Sequence, residues 1–500
     1  MKSSSTEAAV RDAAGIRAAV ERFLTSSRRP ALLEPGEELF DLRPDSFALS
    51  ERNSRLTIEA WDETRNLVRR VTALGEERRG RLELVIERFA RKEGRMWLID
   101  LEQPQAQETR QRGERLVFRE RFRRFLSREF SGWRLAELSA EKDLEHTLSP
   151  AYPRALLRKG RNGIAAISAP AECVDPDGAL SFGLIWLSYL RRRERGVAIG
   201  QIVLYLPAGS ERTTCQRTRF LDGGGARFEV YAYGEDDSAA PVCAQDYGNF
   251  DTRIEPAHAT PPEAQAWVER LAHLSFVEPV PMGDGAVSLR VRGLEFARTC
   301  GHELLFGLHR RAAAREHNLA EVERLARELA DLRSVDAAGP LASALPEAWL
   351  ESAVRANLPM IDAYLRPSPL YGQVPAWAGG ERGIPDLLAA DRSGRLAVLE
   401  LKASEDLHLP LQALDYWMRV KWHLDRGEFE GRGYFPGVAL RKEPPRILLV
   451  GPALEFHPTT ETILAYFSSE VEVERIGLCS GWRECPRVMF RLCGAARPLS

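Results

Sequence analysis

"GIPDLLAADRSGRLAVLELKA", residues 383 to 403, is the stretch on which the fold of this chain turns. The run Leu396 to Leu401 is apolar except for Glu400; Lys402 follows two positions later, and Asp386 opens the strand before it. A short apolar run bounded by turn residues reads as a buried strand. If 391–395, the segment DRSGR, forms a hairpin loop, Ala390 pairs with Leu396, and counting back sets Asp386 opposite Glu400. Side chains alternate along a strand, so Asp386, Glu400 and Lys402 share one face while Leu399 and Leu401 point into the core. That face reads as a charged patch on an otherwise apolar sheet.

Two carboxylates held this close repel each other unless a hard divalent cation sits between them, and oxygen ligands with retained waters suit Mg2+. Such a cation polarises a phosphoryl oxygen and acidifies a bound water. The Lys402 ammonium then orients that water or steadies the charge that develops during in-line displacement. The chemistry expected is phosphodiester hydrolysis. The plainer account of the same three residues is a solvated hairpin edge with an ordinary surface ion pair.

Pro385-Asp386 followed by Glu400-Leu401-Lys402 resembles the signature of the PD-(D/E)XK nuclease superfamily. Gln412 and Tyr416, in "LQALDYW", are similar to the glutamine-tyrosine pair that this family commonly carries on the helix after the lysine strand. Glu351, in "PEAWLESAVRANL", with Glu347 as second candidate, is similar to the glutamate often found on the helix before the core sheet. The resemblance runs from Glu347 onward. It implies a four-stranded mixed sheet flanked by helices and Mg2+- or Mn2+-dependent cleavage of DNA, less often of RNA. It also implies metal ligation by Asp386, Glu400 and Leu401, Lys402 beside the nucleophilic water, and a catalytic set completed by Gln412, Tyr416 and Glu351.

The first half of the chain repeats the pattern without the charges. "YPRALLRKGRNGIAAISAP" (152–170) aligns without a gap with "IPDLLAADRSGRLAVLELK" (384–402), and "LSFGLIWLSYL" (180–190) with "LQALDYWMRVK" (411–421). Further matches join "QIVLYLP" (201–207) to "RILLVGP" (446–452), "FEVYAY" (228–233) to "VEVERI" (471–476) and "AVERF" (19–23) to "WVERL" (267–271). Both halves read as strand, turn, strand, amphipathic helix, buried strand, short helix or loop, strand. The expected fold is α/β: two restriction-endonuclease-like lobes, each a mixed central sheet flanked by helices, arisen by tandem duplication. Arg154, Ser168, Pro170 and Ser181 fall where Asp386, Glu400, Lys402 and Gln412 stand, so the first copy is degenerate. The expected domains are 1–240, the degenerate copy with a helical and β extension at its start; 241–262, a linker; 263–340, a helix and strand region; and 341–500, the nuclease-like domain.

With 500 residues, 28% charged content and a formal charge of -2, the chain lacks an overall basic field, so any nucleic-acid surface must come from local arginine clusters. One lies in 110–130, where Arg112, Arg115, Arg119 and Arg123 stand off the face formed by Phe118, Phe122, Phe125 and Leu126. Arg191, Arg192 and Arg193 form the second. Both suit a phosphate backbone; the competing account is solvated helix faces balanced by Glu114, Glu120 and Glu129, with arginine favoured at a helix end by the dipole. No apolar run of about 18 residues occurs and residues 1–11 lack a signal-like apolar core, so a cytoplasmic protein with no membrane partner is expected.

The seven cysteines are scattered and read as reduced thiols. "HELLFGLH" (302–309) has its histidines seven apart, unsuited to a zinc pair, and reads as a helix with His309 near its end. "DGGGARF" (222–228) reads as a turn leading into a strand, and Leu319 to Leu332 as an amphipathic helix. The expected partner is DNA, with a homodimer or a second protein in addition, and the setting is repair or phage defence. The rival function is a non-catalytic nucleic-acid-binding or scaffold protein that retains a nuclease fold.

Overall fold

Five strands build the sheet that carries the opening stretch: Leu387–Ala390, Leu396–Leu401, Arg446–Pro452, Val473–Leu478 and Val488–Cys493, in that spatial order. The first and last pairings are antiparallel and the two between are parallel. A parallel pair needs a crossover connection; between Leu396–Leu401 and Arg446–Pro452 it contains the helix Leu409–Asp425, and before Val473–Leu478 the short helix Thr460–Leu464. The computed structural model describes residues 13–496 apart from 35–39, 44–45, 53–54, 62–65, 79, 89–91, 103, 236–237, 247–251, 338, 340, 342–343, 373, 375 and 378–386.

Both faces of this sheet are covered. Ala397, Leu399, Leu401, Leu448 and Val450 pack against Trp349, Leu350 and Val354 of the helix Pro346–Ala356. Leu388, Ala390, Leu396 and Val398 pack against Val420 and Leu424 of the helix Leu409–Asp425. Strands buried on both sides become continuous apolar runs; of the expected charged face, Asp386 lies outside the described residues. Leu396 and Val398, on the side of Glu400, are as buried as Leu399. Glu400 is the carboxylate that this strand places beside them.

The chain divides into two compact units that interleave along the sequence. The first takes residues 1–176, 205–208 and 232–240. Its helix Ala13–Ser26 lays Ile16, Ala19, Val20 and Phe23 on a seven-stranded antiparallel sheet whose inner residues include Leu56, Leu84, Met96 and Leu98. The helix Pro104–Glu129 follows and stacks Phe125 on Tyr205 with ring centroids 4.3 Å apart. The strands Arg134–Ser139, Arg154–Lys159 and Asn162–Ser168 pair antiparallel in sequence order. Tyr205–Ala208 and Ala232–Ala240 continue that sheet: the Ala169 N–H donates to the Tyr205 carbonyl, and the Ala208 N–H to that of Tyr233.

The second unit takes 177–204, 209–231 and 241–500. Besides the mixed sheet it holds a five-stranded antiparallel sheet, Glu278 to Ala313, covered by the helices Pro262–Leu271 and Leu319–Leu332. The helices Gly178–Arg193 and Glu211–Thr218 belong to this unit too, packed on Thr460–Leu464 and Leu409–Asp425. Each half of the sequence thus runs helix, antiparallel sheet, helix, then strand, turn, strand, helix, strand, short helix, strand. No helix among the described residues is long and apolar enough to cross a membrane.

Two local expectations differ from the structure. "HELLFGLH" contains a strand, Glu303–Phe306, paired with Leu294–Cys300. Short apolar runs leave helix and strand undecided, and Gly301 and Gly307, at φ 58° and 124°, break the chain on both sides. In the first half, Lys159 pairs with Asn162 across a tight turn and Arg154 pairs with Ile167. In the second, Ala390 pairs with Leu396. The gapless alignment therefore slips by one residue in register, and the Ser168 N–H and hydroxyl both bond the Pro153 carbonyl, so Pro153 and not Arg154 lies across from Ser168.

Candidate functional site

The second hairpin has the register counted from its sequence: Leu387 with Leu399, Leu388 with Val398, Ala389 with Ala397, Ala390 with Leu396. Asp386 lies outside the described residues. Glu400 is 3% exposed near the end of its strand, beside Leu449 of the parallel neighbour. A carboxylate so far from water persists where donors or a cation compensate it. This depth of burial does not suit a solvated hairpin edge. The Leu401 side chain turns to the opposite layer, among Leu350, Leu399 and Val450.

Lys402 leaves the sheet just beyond, its N–H donating to the Val450 carbonyl at 3.1 Å. The chain needs glycine at the neighbouring Gly451, where a Cβ would stand 2.5 Å from the Lys402 carbonyl oxygen. The Lys402 ammonium lies 3.6 Å from Asp406 Oδ2 and 3.8 Å from Glu347 Oε1. Asp406 is itself oriented, its Oδ1 accepting the His408 N–H at 2.8 Å. His408 precedes the helix Leu409–Asp425, whose first turn contains Pro410. Burial pushes the His457 imidazole below its ordinary pKa, while the charges of Glu405 and Asp406 pull the other way. Asp406 and His457 were not foreseen. The acidic pair in "ASEDLH" just ahead of a helix is the signal that could have pointed to Asp406, since carboxylates favour helix N-termini.

Glu347, the second candidate, is the glutamate that reaches Lys402. Glu351, one turn later, accepts from Arg355 at 2.7 Å and from Arg290 at 3.5 Å. Its carboxylate ties the helix Pro346–Ala356 to the five-stranded sheet, an attachment reinforced by Ser352 donating to Glu278 at 2.5 Å. On the helix after the lysine strand, Tyr416 packs against the layer that includes Leu396 and Val398, the side of Glu400. Gln412 stands one turn before it, half-buried.

The arginine clusters are largely engaged within the protein. The Arg112 side chain lies outside the described residues, and Arg115 and Arg119 are half-buried. Arg123 pairs with Glu120. Arg191 donates to the carbonyls of Gly223 at 2.8 Å and Gly224 at 3.2 Å. Arg193 bonds Glu194 at 2.8 Å and lies over the Tyr189 ring at 5.0 Å, which leaves Arg192 exposed beside them.

Among the described residues no three His, Cys, Asp or Glu side chains converge as a metal site, and all seven cysteines are free thiols. No family model, no curated protein and no solved structure matches this chain.

Proposed function

We propose that this chain is a metal-dependent nuclease that hydrolyses phosphodiester bonds, in DNA before RNA, at the strand end formed by Glu400, Leu401 and Lys402. The observation that carries the proposal is Glu400, a carboxylate 3% exposed on a strand otherwise apolar on both faces, with a lysine two residues on. A carboxylate at this depth, followed closely by a lysine at the strand end, is the arrangement that ligation of a hard cation requires. Asp386 and Glu400, with the main chain of Leu401, would hold one Mg2+ or Mn2+ ion; oxygen donors of this kind suit hard cations. When bound, the ion supplies electrophilic polarisation and a more acidic water. The Lys402 ammonium, flanked by Asp406 and Glu347, stands ready to orient the attacking water or to stabilise the developing phosphorane charge. Tyr416 and Gln412 border the same layer from the crossover helix.

We read the two halves as a tandem duplication whose first copy has lost the site. The common order of elements supports this, as does the common order of strands. Ser168 uses its hydroxyl on Pro153, and Arg154 donates to the Glu141 carbonyl at 3.0 Å, so these positions serve folding in the first half. A cytoplasmic role in repair or phage defence, alone or with a partner protein, accords with a nuclease of this design. The test is incubation with supercoiled and linear DNA in Mg2+, Mn2+ or chelator, beside Lys402→Ala. We expect cleavage with metal, none with chelator, and a loss of about a hundredfold or more in the variant. Equal cleavage by the variant would remove Lys402 from the mechanism; binding without cleavage would replace the nuclease by a nucleic-acid-binding protein.

A further inference from the structure

We infer that Asp406 and His408 are positioning residues for Lys402 and that Ser181, from the first half of the sequence, anchors them; this rests on the nuclease role of Lys402. The contacts form a continuous series within the second unit. Ser181 is fully buried on the helix Gly178–Arg193, and its hydroxyl lies 3.1 Å from His408 Nδ1. The next residue, Phe182, meets the His408 ring edge-on, centroids 5.8 Å apart. The His408 N–H holds Asp406 Oδ1 at 2.8 Å, and Asp406 Oδ2 faces the Lys402 ammonium at 3.6 Å. The loop between strand and helix, with Ser404 and Glu405 exposed, is thus fixed at its far end by a residue 227 positions earlier in the chain.

The placement matters because a long, flexible ammonium side chain is useful in catalysis only when held, and a shift of about 1 Å can cost a hundredfold in rate. Glu347 holds Lys402 from the helix Pro346–Ala356 at 3.8 Å, and Asp406 holds it from the loop. The Ser181 hydroxyl stands where the alignment sets Gln412 in the second half. The degenerate half has therefore exchanged its own site residue for a brace on the intact one.

The test combines kinetics with amide hydrogen exchange of residues 403–408 in the full chain. Ser181→Ala and His408→Phe, the latter keeping the ring against Phe182, should each lower kcat roughly tenfold with KM unchanged. Both should speed exchange in the loop, and the double variant should go no further than either single one. His408→Asn, whose amide reaches the Nδ1 position, should restore most of kcat. Unchanged kcat and exchange in both singles, additive losses, or a parallel rise in KM with a lowered unfolding midpoint would each overturn the inference. If Lys402→Ala cleaves as the wild type does, the catalytic role of Lys402 fails by itself; exchange quickened by Ser181→Ala would still uphold the brace, and unaltered exchange would overturn it.

Discussion

At the scale of single residues, burial distinguishes neighbouring charges. Glu400 and Lys402 stand two positions apart, yet the first is 3% exposed and the second reaches outward to Asp406 and Glu347. Glu400→Gln keeps the volume and removes the charge, so the fold should persist while cleavage falls by about a hundredfold or more; a thermal melt and a plasmid assay on one preparation check this. A different buried group contributes to the pH dependence of stability. His423, bonded by Thr252 Oγ1 at 2.9 Å and paired with Glu428, is held below its ordinary pKa, chiefly because burial disfavours the charged ring. The unfolded chain therefore binds the proton more readily. This contribution to stability is complete above about pH 6.5 and is lost as pH falls through that value. The unfolding midpoint should drop between about pH 7 and about pH 5, and His423→Gln should flatten part of that slope, His457 supplying the rest.

At the scale of elements, the clearest interaction joins the helices Glu211–Thr218 and Leu409–Asp425. Arg217 meets Asp415 in a two-pronged pair, Nε to Oδ1 at 2.8 Å and the terminal nitrogen to Oδ2 at 2.7 Å, with side chains only 8% and 13% exposed. Arg217→Ala leaves a buried carboxylate without its guanidinium and should cost about 3–5 kcal/mol, read from denaturant unfolding. The double variant with Asp415→Ala should cost less than the sum of the two single changes. Much at this scale was legible in the sequence. The hairpin register of Ala390 and Leu396, the amphipathic helix Leu319–Leu332 and the order of elements in both halves follow from alternation, turn residues and helical spacing. What local patterning does not show depends on long-range packing. The layer around Glu400 is apolar because the crossover helix covers it. "HELLFGLH" holds a strand because Leu294–Cys300 and Ala312–Ala313 pair with it on either side, and Glu351 bonds Arg290 from a sheet about sixty residues earlier. Nor does periodicity reveal that Arg191 is bound to glycine carbonyls.

At the scale of the whole molecule, the sequence halves are not the compact units. Residues 177–204 and 209–231 share a unit with 241–500. Within it Phe220 meets Trp417 edge-on with centroids 5.1 Å apart, and Ser188 bonds the Tyr466 hydroxyl at 2.8 Å. A chain starting at residue 241 loses Arg217, Phe220 and Ser188 together, so it should lack the cooperative unfolding of the full chain. Calorimetry of the two chains tests this; an equally cooperative fragment would show the first-half helices to be dispensable. The most direct test of the central claim is calorimetric titration of Mn2+ into the full chain and into Asp386→Asn and Glu400→Gln. One site per chain in the wild type, lost in both variants, is the result expected; unaltered binding in both would mean that these two carboxylates hold no common ion.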